Sequence, residues 1–282
     1  MANPTGLQDT FRLNNGVEMP WLGLGVFRVD DNSVAAESVK TAIKAGYRLI
    51  DTAAVYQNEE GVGQGIREAL DENGLSRNDI FVTSKVWNSD QGYDTTLAAY
   101  QASLNRLGLD YLDLYLVHWP VKGKYKETWK ALEQLYKDGK VRSIGVSNFQ
   151  IHHLEDLAVD AEVAPVINQV ERHPRLTQAP LKEYCDQHEI RLEAWAPLMV
   201  GGLFDNETIT SIAGKYDKTP AQVILRWHIQ GGVAAIPKST KAHRIIENGD
   251  VFDFELSAED MDKINALNQD HRTGADPDNF NF

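Results

Sequence analysis

Short, almost wholly apolar runs recur along this chain, and between them apolar residues fall three and four apart. The runs at 47–51, 80–85, 112–118, 141–146, 166–170, 191–194 and 233–236 predict strands buried on both faces. The spaced stretches at 34–45, 59–71, 95–107, 126–137, 150–158, 179–187 and 242–248 predict helices with one apolar face, and helical pieces at 207–216 and 220–229 follow the seventh strand. Ser33 is placed to cap the first helix, and Gly46, Gly108 and Gly139 supply helix ends. Counting from the segment Leu22-Gly23-Leu24-Gly25, eight strand-like segments are each followed by helix. Such alternation means a parallel sheet, and eight repeats at this length fit a closed (β/α)8 TIM barrel better than an open α/β sheet. Ahead of it, Phe11-Arg12-Leu13, the turn Asn14-Asn15-Gly16 and Val17-Glu18-Met19 read as a β-hairpin that caps the barrel bottom.

No Pro/Gly/Ser-rich linker interrupts the pattern, so residues 1–282 read as one domain, with a polar tail from about 268 that ends in Phe280-Asn281-Phe282. The tail is expected either to pack over a barrel mouth or to fray. The 42% hydrophobic and 24% charged composition is that of an ordinary soluble globular protein. A formal net charge of −13 argues against non-specific association with nucleic acid or anionic membrane, and leaves a small molecule as the expected partner of a monomer. In so acidic a chain the cluster Lys238, Lys241, His243 and Arg244 stands out. It follows the strand end Ile236-Pro237 and surrounds Ser239 and Thr240 at a helix start, which suits a phosphate-bearing ligand. A solvated basic turn is its ordinary reading. Cys185, the one cysteine, sits beside Glu183, Tyr184 and Asp186, no setting for a reactive thiolate. The start Met1-Ala2-Asn3-Pro4-Thr5-Gly6 lacks a basic region followed by an apolar core, and no run has the length of a membrane span, so a cytoplasmic location is the default.

In a barrel of this kind chemistry belongs at the C-terminal ends of the strands. There the sequence places Asp51 with Tyr56 just beyond, Lys85 with Trp87 and Asn88, His118 with Trp119, Ser147-Asn148, Asn168-Gln169, Trp195 with Pro197, and Lys238-Ser239-Thr240. Each has an ordinary explanation: a capping carboxylate, a snorkelling lysine, a satisfied buried histidine. Together, a carboxylate, an ammonium, a phenol and an imidazole on adjacent strands make an acid. A phenol gives up its proton near neutrality only if its anion is stabilised; Lys85 would do that, and Asp51 would keep Lys85 charged. A metal is not expected, because one imidazole and one carboxylate converge without a second histidine. A Schiff-base lyase using Lys85 is the rival chemistry, but it needs a lowered lysine pKa beside an Asp51 that raises it.

The motifs Gly46-Tyr47-Arg48-Leu49-Ile50-Asp51-Thr52-Ala53, Val82-Thr83-Ser84-Lys85-Val86-Trp87, Leu112 to Pro120, Ile144-Gly145-Val146-Ser147-Asn148-Phe149, Asn168-Gln169 and Ile236-Pro237-Lys238-Ser239 with Arg244, Glu247 and Asn248 resemble those of the aldo-keto reductases, in order and over nearly the whole chain. The resemblance is to their bacterial and fungal small-carbonyl branch, whose substrates are of the glyoxal, methylglyoxal and 2,5-diketogluconate type. It implies NADPH-dependent reduction of aldehydes and activated ketones, with Tyr56 as general acid, Lys85 and Asp51 tuning it, and His118 orienting the carbonyl. It implies a cofactor site of Ser147, Asn148, Gln169, Trp195, Pro197, Leu198, Lys238, Ser239, Thr240, Arg244, Glu247 and Asn248, with Arg244 at the 2′-phosphate. Phe27, Trp87, Asn88 and Trp119 would wall the substrate pocket, favouring small or aromatic carbonyls over steroids. Trp195 stands where many members carry tyrosine, Ala196 where serine is common, and the short Met199-Val200-Gly201-Gly202 segment implies easy cofactor exchange. A non-catalytic NADPH-binding barrel that serves other proteins is the alternative of another class.

Overall fold

Strands follow one another around a single sheet in chain order: β3 (Leu24–Gly25), β4 (Leu49–Asp51), β5 (Phe81–Val86), β6 (Leu112–Val117), β7 (Val141–Ser147), β8 (Ile167–Glu171), β9 (Arg191–Trp195) and β10 (Ala234–Ala235). Every neighbouring pair is parallel. This computed structural model describes residues 3–282; Met1 and Ala2, the start of the N-terminal stretch read above, lie outside the described residues. The sheet closes where Leu22 bridges Ala235 and Gly25 bridges Lys238, both parallel. Gly23 donates to Ala235 O at 2.9 Å, and Gly25 to Pro237 O at 3.1 Å. The closing segment has to be glycine-punctuated, because a Cβ on Gly25 would stand 2.9 Å from Ile236 O and one on Gly23 2.5 Å from Leu49 Cγ. The expected barrel is therefore present, with strand bodies buried on both faces, as the apolar runs required.

Outside it lie α1 (Asn32–Lys44), α2 (Glu59–Asn73), α3 (Tyr93–Leu107), α4 (Tyr125–Lys137), α5 (Ile151–Ala158), α6 (Ala179–Gln187), α7 (Glu207–Tyr216), α8 (Pro220–Gln230), α9 (Ala242–Gly249) and α10 (Ala258–Asn265). Asp31, not Ser33, caps α1: its carboxylate accepts the Ser33 N–H at 2.7 Å and the Val34 N–H at 3.2 Å, where an anion also complements the helix dipole. Helix α10 is absent from the sequence reading, since AEDMDKIN offers few apolar positions to betray a period. It joins α7 and α8 over a second core that includes Leu203, Ile212, Trp227 and Ile264. The last strand shrinks from 233–236 to two residues.

The hairpin of β1 (Thr10–Arg12) and β2 (Glu18–Pro20) is antiparallel, with Phe11 opposite Met19. Asn15 donates to Arg142 O at 3.0 Å and Asn14 to Pro165 O at 3.0 Å, fixing the hairpin under the N-terminal ends of β7 and β8, so that it caps the barrel bottom. At the opposite mouth the tail packs rather than frays. Glu171 at the end of β8 accepts the Thr273 N–H at 2.6 Å, the Thr273 hydroxyl, and the Gly274 N–H at 3.1 Å. Gly274 lies so flat on Trp195 that a Cβ would come within 2.4 Å of the indole. Among the described residues, no helix is long and apolar enough to cross a membrane.

Candidate active site

Side-chain alternation and strand register bring the first residues together. Asp51 ends β4 opposite Thr83 of β5, and Lys85, two residues on, faces the same interior. A short helical turn at Ala54–Tyr56 then folds Tyr56 back over them. Lys85 Nζ donates to Asp51 Oδ1 at 2.7 Å, to Thr52 O at 2.9 Å and to Tyr56 Oη at 3.3 Å, so all three donors of the ammonium are engaged. His118, the residue after β6, sets its ring edge-on to Trp87 at 5.1 Å and to Tyr56 at 5.8 Å. Its Nδ1 is buried without a hydrogen-bond partner among the described residues.

Charge in this group is decided by burial against a single cation. Burial raises the Tyr56 phenol above its ordinary value and the Lys85 ammonium pulls it back. Burial also works against the Lys85 charge, but Asp51, Tyr56 and Glu193 outweigh it and hold the lysine above its ordinary value. A lysine so held is a cation, not the free amine that imine formation needs. Burial, then the nearby Lys85, pushes His118 far below the usual imidazole range, leaving a neutral ring with one nitrogen to donate and one to accept.

Glu193 of β9 was not among the sequence candidates, and it corrects the expectation that one carboxylate converges here. Gln169 Nε2 donates to Asp51 Oδ2 at 2.8 Å and to Glu193 Oε2 at 2.7 Å, bridging the two acids. Glu193 is fully buried, and its Oε1 has no partner among the described residues. The signal was available: a lone acid inside the apolar run Arg-Leu-Glu-Ala-Trp shares a face with Trp195. The same bridge commits the Gln169 amide nitrogen, so only its carbonyl oxygen is left to meet a ligand. Its neighbour Asn168 faces the other way and donates to Phe149 O at 2.8 Å, a structural bond.

The candidate cofactor residues fall into two groups at the same mouth. Asn148, in a left-handed conformation at φ 63°, donates to His118 O at 3.0 Å and to Ser147 Oγ at 3.2 Å, and accepts the Trp195 indole N–H at 2.8 Å. Ser147 Oγ in turn donates to Gln169 O at 2.8 Å. Beyond Trp195, Ala196 also has positive φ, Pro197 O faces His228 Nε2 at 3.2 Å, and Leu198 is half-buried. Around the start of α9, Lys238 and Arg244 are exposed, Thr240 is half-buried, and Ser239 and Asn248 are buried. Ser239 Oγ accepts the Lys241 N–H at 3.1 Å, while Glu247 Oε1 accepts the Thr219 hydroxyl at 2.9 Å. Hydroxyls, two exposed cations and a helix start make a donor set that fits a phosphate.

Aromatic rings wall the space above Tyr56. Phe27, half-exposed, tilts against Tyr56 at 5.0 Å, and Trp87 stacks parallel on Phe282 at 5.7 Å. Trp119 is buried behind Phe280 and Phe282, each at 5.1 Å, and Asn88 donates to Phe282 O at 3.0 Å. The tail thus supplies two of the walls. A trio on its outer side ties it to α5: Asp278 Oδ1 lies 2.9 Å from His152 Nε2 and 3.5 Å from His153 Nε2. His153 Nδ1 accepts the Gln150 N–H at 3.1 Å, so its Nε2 carries the ring proton and has no lone pair for a metal.

The model of the aldo/keto reductase family matches residues 22–269. The glyoxal reductase of Bacillus subtilis (strain 168) is 66% identical over 279 residues, covering 99% of this chain and 100% of the relative. Methylglyoxal reductase DkgA of Escherichia coli (strain K12) is 45% identical over 284 residues, covering 99% of each. Among solved structures, a Bombyx mori aldo-keto reductase in complex with NADP superimposes with a TM-score of 0.91 at 39% identity, over 99% of this chain and 97% of that one. A Gox0644 variant in complex with NADPH reaches 0.92 at 46% identity, over 100% of both chains.

Proposed function

Because the chain belongs to the aldo/keto reductase family and reduces aldehydes and activated ketones to alcohols with NADPH, we propose that Tyr56 donates the proton that this reduction places on the carbonyl oxygen. The observation that carries this is the Lys85 ammonium, which reaches Asp51 and the Tyr56 hydroxyl at once. NADPH, when bound, supplies the hydride that the carbonyl carbon takes up. As Tyr56 releases its proton, a phenolate forms within hydrogen-bond reach of a cation, and Asp51 keeps that cation charged and aimed. Neutral His118 holds the carbonyl oxygen by donating to it, so the oxygen is already turned toward Tyr56. The flat indole of Trp195 with Ser147, Asn148 and the Gln169 oxygen would hold the nicotinamide end, and Pro197 and Leu198 the span beyond. Lys238, Ser239, Thr240 and Arg244 would hold the adenosine phosphate, with Asn248 beside the adenine and Glu247 bracing the helix.

The pocket formed by Phe27, Trp87, Trp119 and Asn88, narrowed by Phe280 and Phe282, supports small dicarbonyls of the glyoxal and methylglyoxal kind and aromatic aldehydes as substrates. The reading includes one domain acting as a monomer in the cytoplasm, on small molecules, with a charge of −13 that repels nucleic acid and anionic membrane. Tyr56→Phe is the test. NADPH oxidation with phenylglyoxal is expected to vanish while NADPH still quenches the tryptophan fluorescence; a variant that turns over near the wild-type rate removes Tyr56 from the chemistry.

A further inference from the structure

Beneath the proton donor, the barrel interior holds an acid that none of the roles above uses. Glu193 is reached by the Gln169 amide at 2.7 Å, and through it by Asp51, while its other oxygen has no partner among the described residues. The ionisable groups that face it are Asp51 from β4, Lys85 from β5 and Tyr56 from the turn after β4. Of the strands beside it, β8 presents the neutral Gln169 opposite it and, two residues on, Glu171, which is held by His173, Thr273 and Gly274, while β10 presents only alanines. With both acids ionised, this buried set would carry −1 −1 +1, a net negative charge in the barrel interior.

We propose that Glu193 is a positioning residue for the proton transfer: as a neutral acid it leaves the Lys85 charge to Asp51 and Tyr56, and as a carboxylate it weakens Tyr56 as a donor. The proposal rests on Tyr56 being the proton donor. The geometry gives the reason for each half. Oε2 accepts the Gln169 amide, so the proton sits on Oε1, and an unpartnered neutral oxygen costs far less than an unpartnered charged one. The two amide hydrogens of Gln169 reach one carboxyl each; with Glu193 neutral, the charge-assisted bond of the pair is the one to Asp51, which orients Lys85. Ionising Glu193 places a second negative charge against the set. The Lys85 proton is then held more tightly, and the phenolate that proton donation must form becomes more costly. Consistently, burial and then the charge of Asp51 push Glu193 up to about 8.

The test compares the pH profiles of kcat for methylglyoxal reduction in wild type and in Glu193→Gln, which accepts the same amide bond and stays neutral. Wild type is expected to lose kcat as the pH rises through about 8, with Glu193 ionising. In Glu193→Gln that alkaline limb should move up by about one pH unit or more, whatever the plateau. Superimposed limbs overturn the inference, as does a loss of rate that is uniform across the range, which marks a structural role only. Should the variant not fold, infrared titration of the wild type with isotopically labelled glutamate decides. A protonated buried carboxyl band at neutral pH that disappears on raising the pH is expected, and its absence at neutral pH overturns the proposal. Tyr56→Phe run alongside separates the two failures: an active Tyr56→Phe removes the donor itself, whereas an inactive one with coincident limbs removes only Glu193.

Discussion

Replacing Lys85 by methionine keeps the apolar stem of the side chain and removes the ammonium with its three donors, so it tests what that group does for Tyr56. The ammonium lies 3.3 Å from the Tyr56 oxygen. At an effective dielectric near 20, a unit charge there stabilises a phenolate by about 5 kcal/mol, equivalent to roughly three to four pK units. General-acid catalysis reflects only part of such a shift, because the proton is partly transferred in the transition state; a fall in kcat of roughly a thousandfold is expected. The variant also strands Asp51, whose loss of a buried partner is expected to cost about 3–5 kcal/mol of stability. Burial raises the Asp51 carboxyl above its ordinary value even with Lys85 opposing, so without Lys85 it rises further. An acid whose folded value exceeds its unfolded one keeps its stability at low pH and loses it as the pH rises through the folded value. Urea midpoints of Lys85→Met should therefore drop with increasing pH, and the double variant Asp51→Asn/Lys85→Met should regain stability without regaining rate. The assay is NADPH oxidation with methylglyoxal under conditions where each variant is folded. A Lys85→Met enzyme within about tenfold of wild type, beside an inactive Tyr56→Phe, would show that the lysine does not tune the phenol.

Two further outcomes are expected. Arg244→Ala should weaken NADPH by roughly ten- to a hundredfold, the value of a charge-assisted contact, and NADH much less; equal losses for both cofactors would remove Arg244 from the 2′-phosphate. Gly63 of α2 faces Leu107 so closely that a Cβ would come within 1.9 Å of its carbonyl oxygen, whereas Gly214 of α7 has open space. In thermal unfolding Gly63→Ala should cost about 1–3 kcal/mol or more, and Gly214→Ala should add about 0.5–1 kcal/mol; the same sign at both sites would refute the packing account.

The barrel was legible because parallel strands covered on both faces favour short apolar runs, such as Leu112-Asp113-Leu114-Tyr115-Leu116-Val117, where the exception, Asp113, is held by Arg77 and Arg142. The proton-donating group was legible because strand ends are where polar residues interrupt those runs. Glu193 was hidden by the same rule, since it sits within a strand and not at its end. The tail was hidden for a different reason: its bonds to Glu171 and Asn88 join residues far apart in sequence, and local periodicity carries no information about them. Asp31 displaced Ser33 as the cap because a carboxylate accepts two backbone donors and adds a charge, a contest between neighbours that spacing does not decide.

Closure through Leu22, Gly23 and Gly25 against Ala235 and Lys238 has a meaning for how the molecule comes into being. The first and last strands of the barrel meet across most of the chain, and contacts of that span are slow to form because a long loop must be ordered before they repay it. The groups that move the proton lie on or just beyond β4, β5 and β6, while the basic groups proposed to hold the phosphate arrive just after β10. A chain folded as far as β9 would have its acid in place, an open edge at β3, and no anchor for the phosphate end of the cofactor that makes the acid useful. In this barrel, competence and completion come at the same moment of folding.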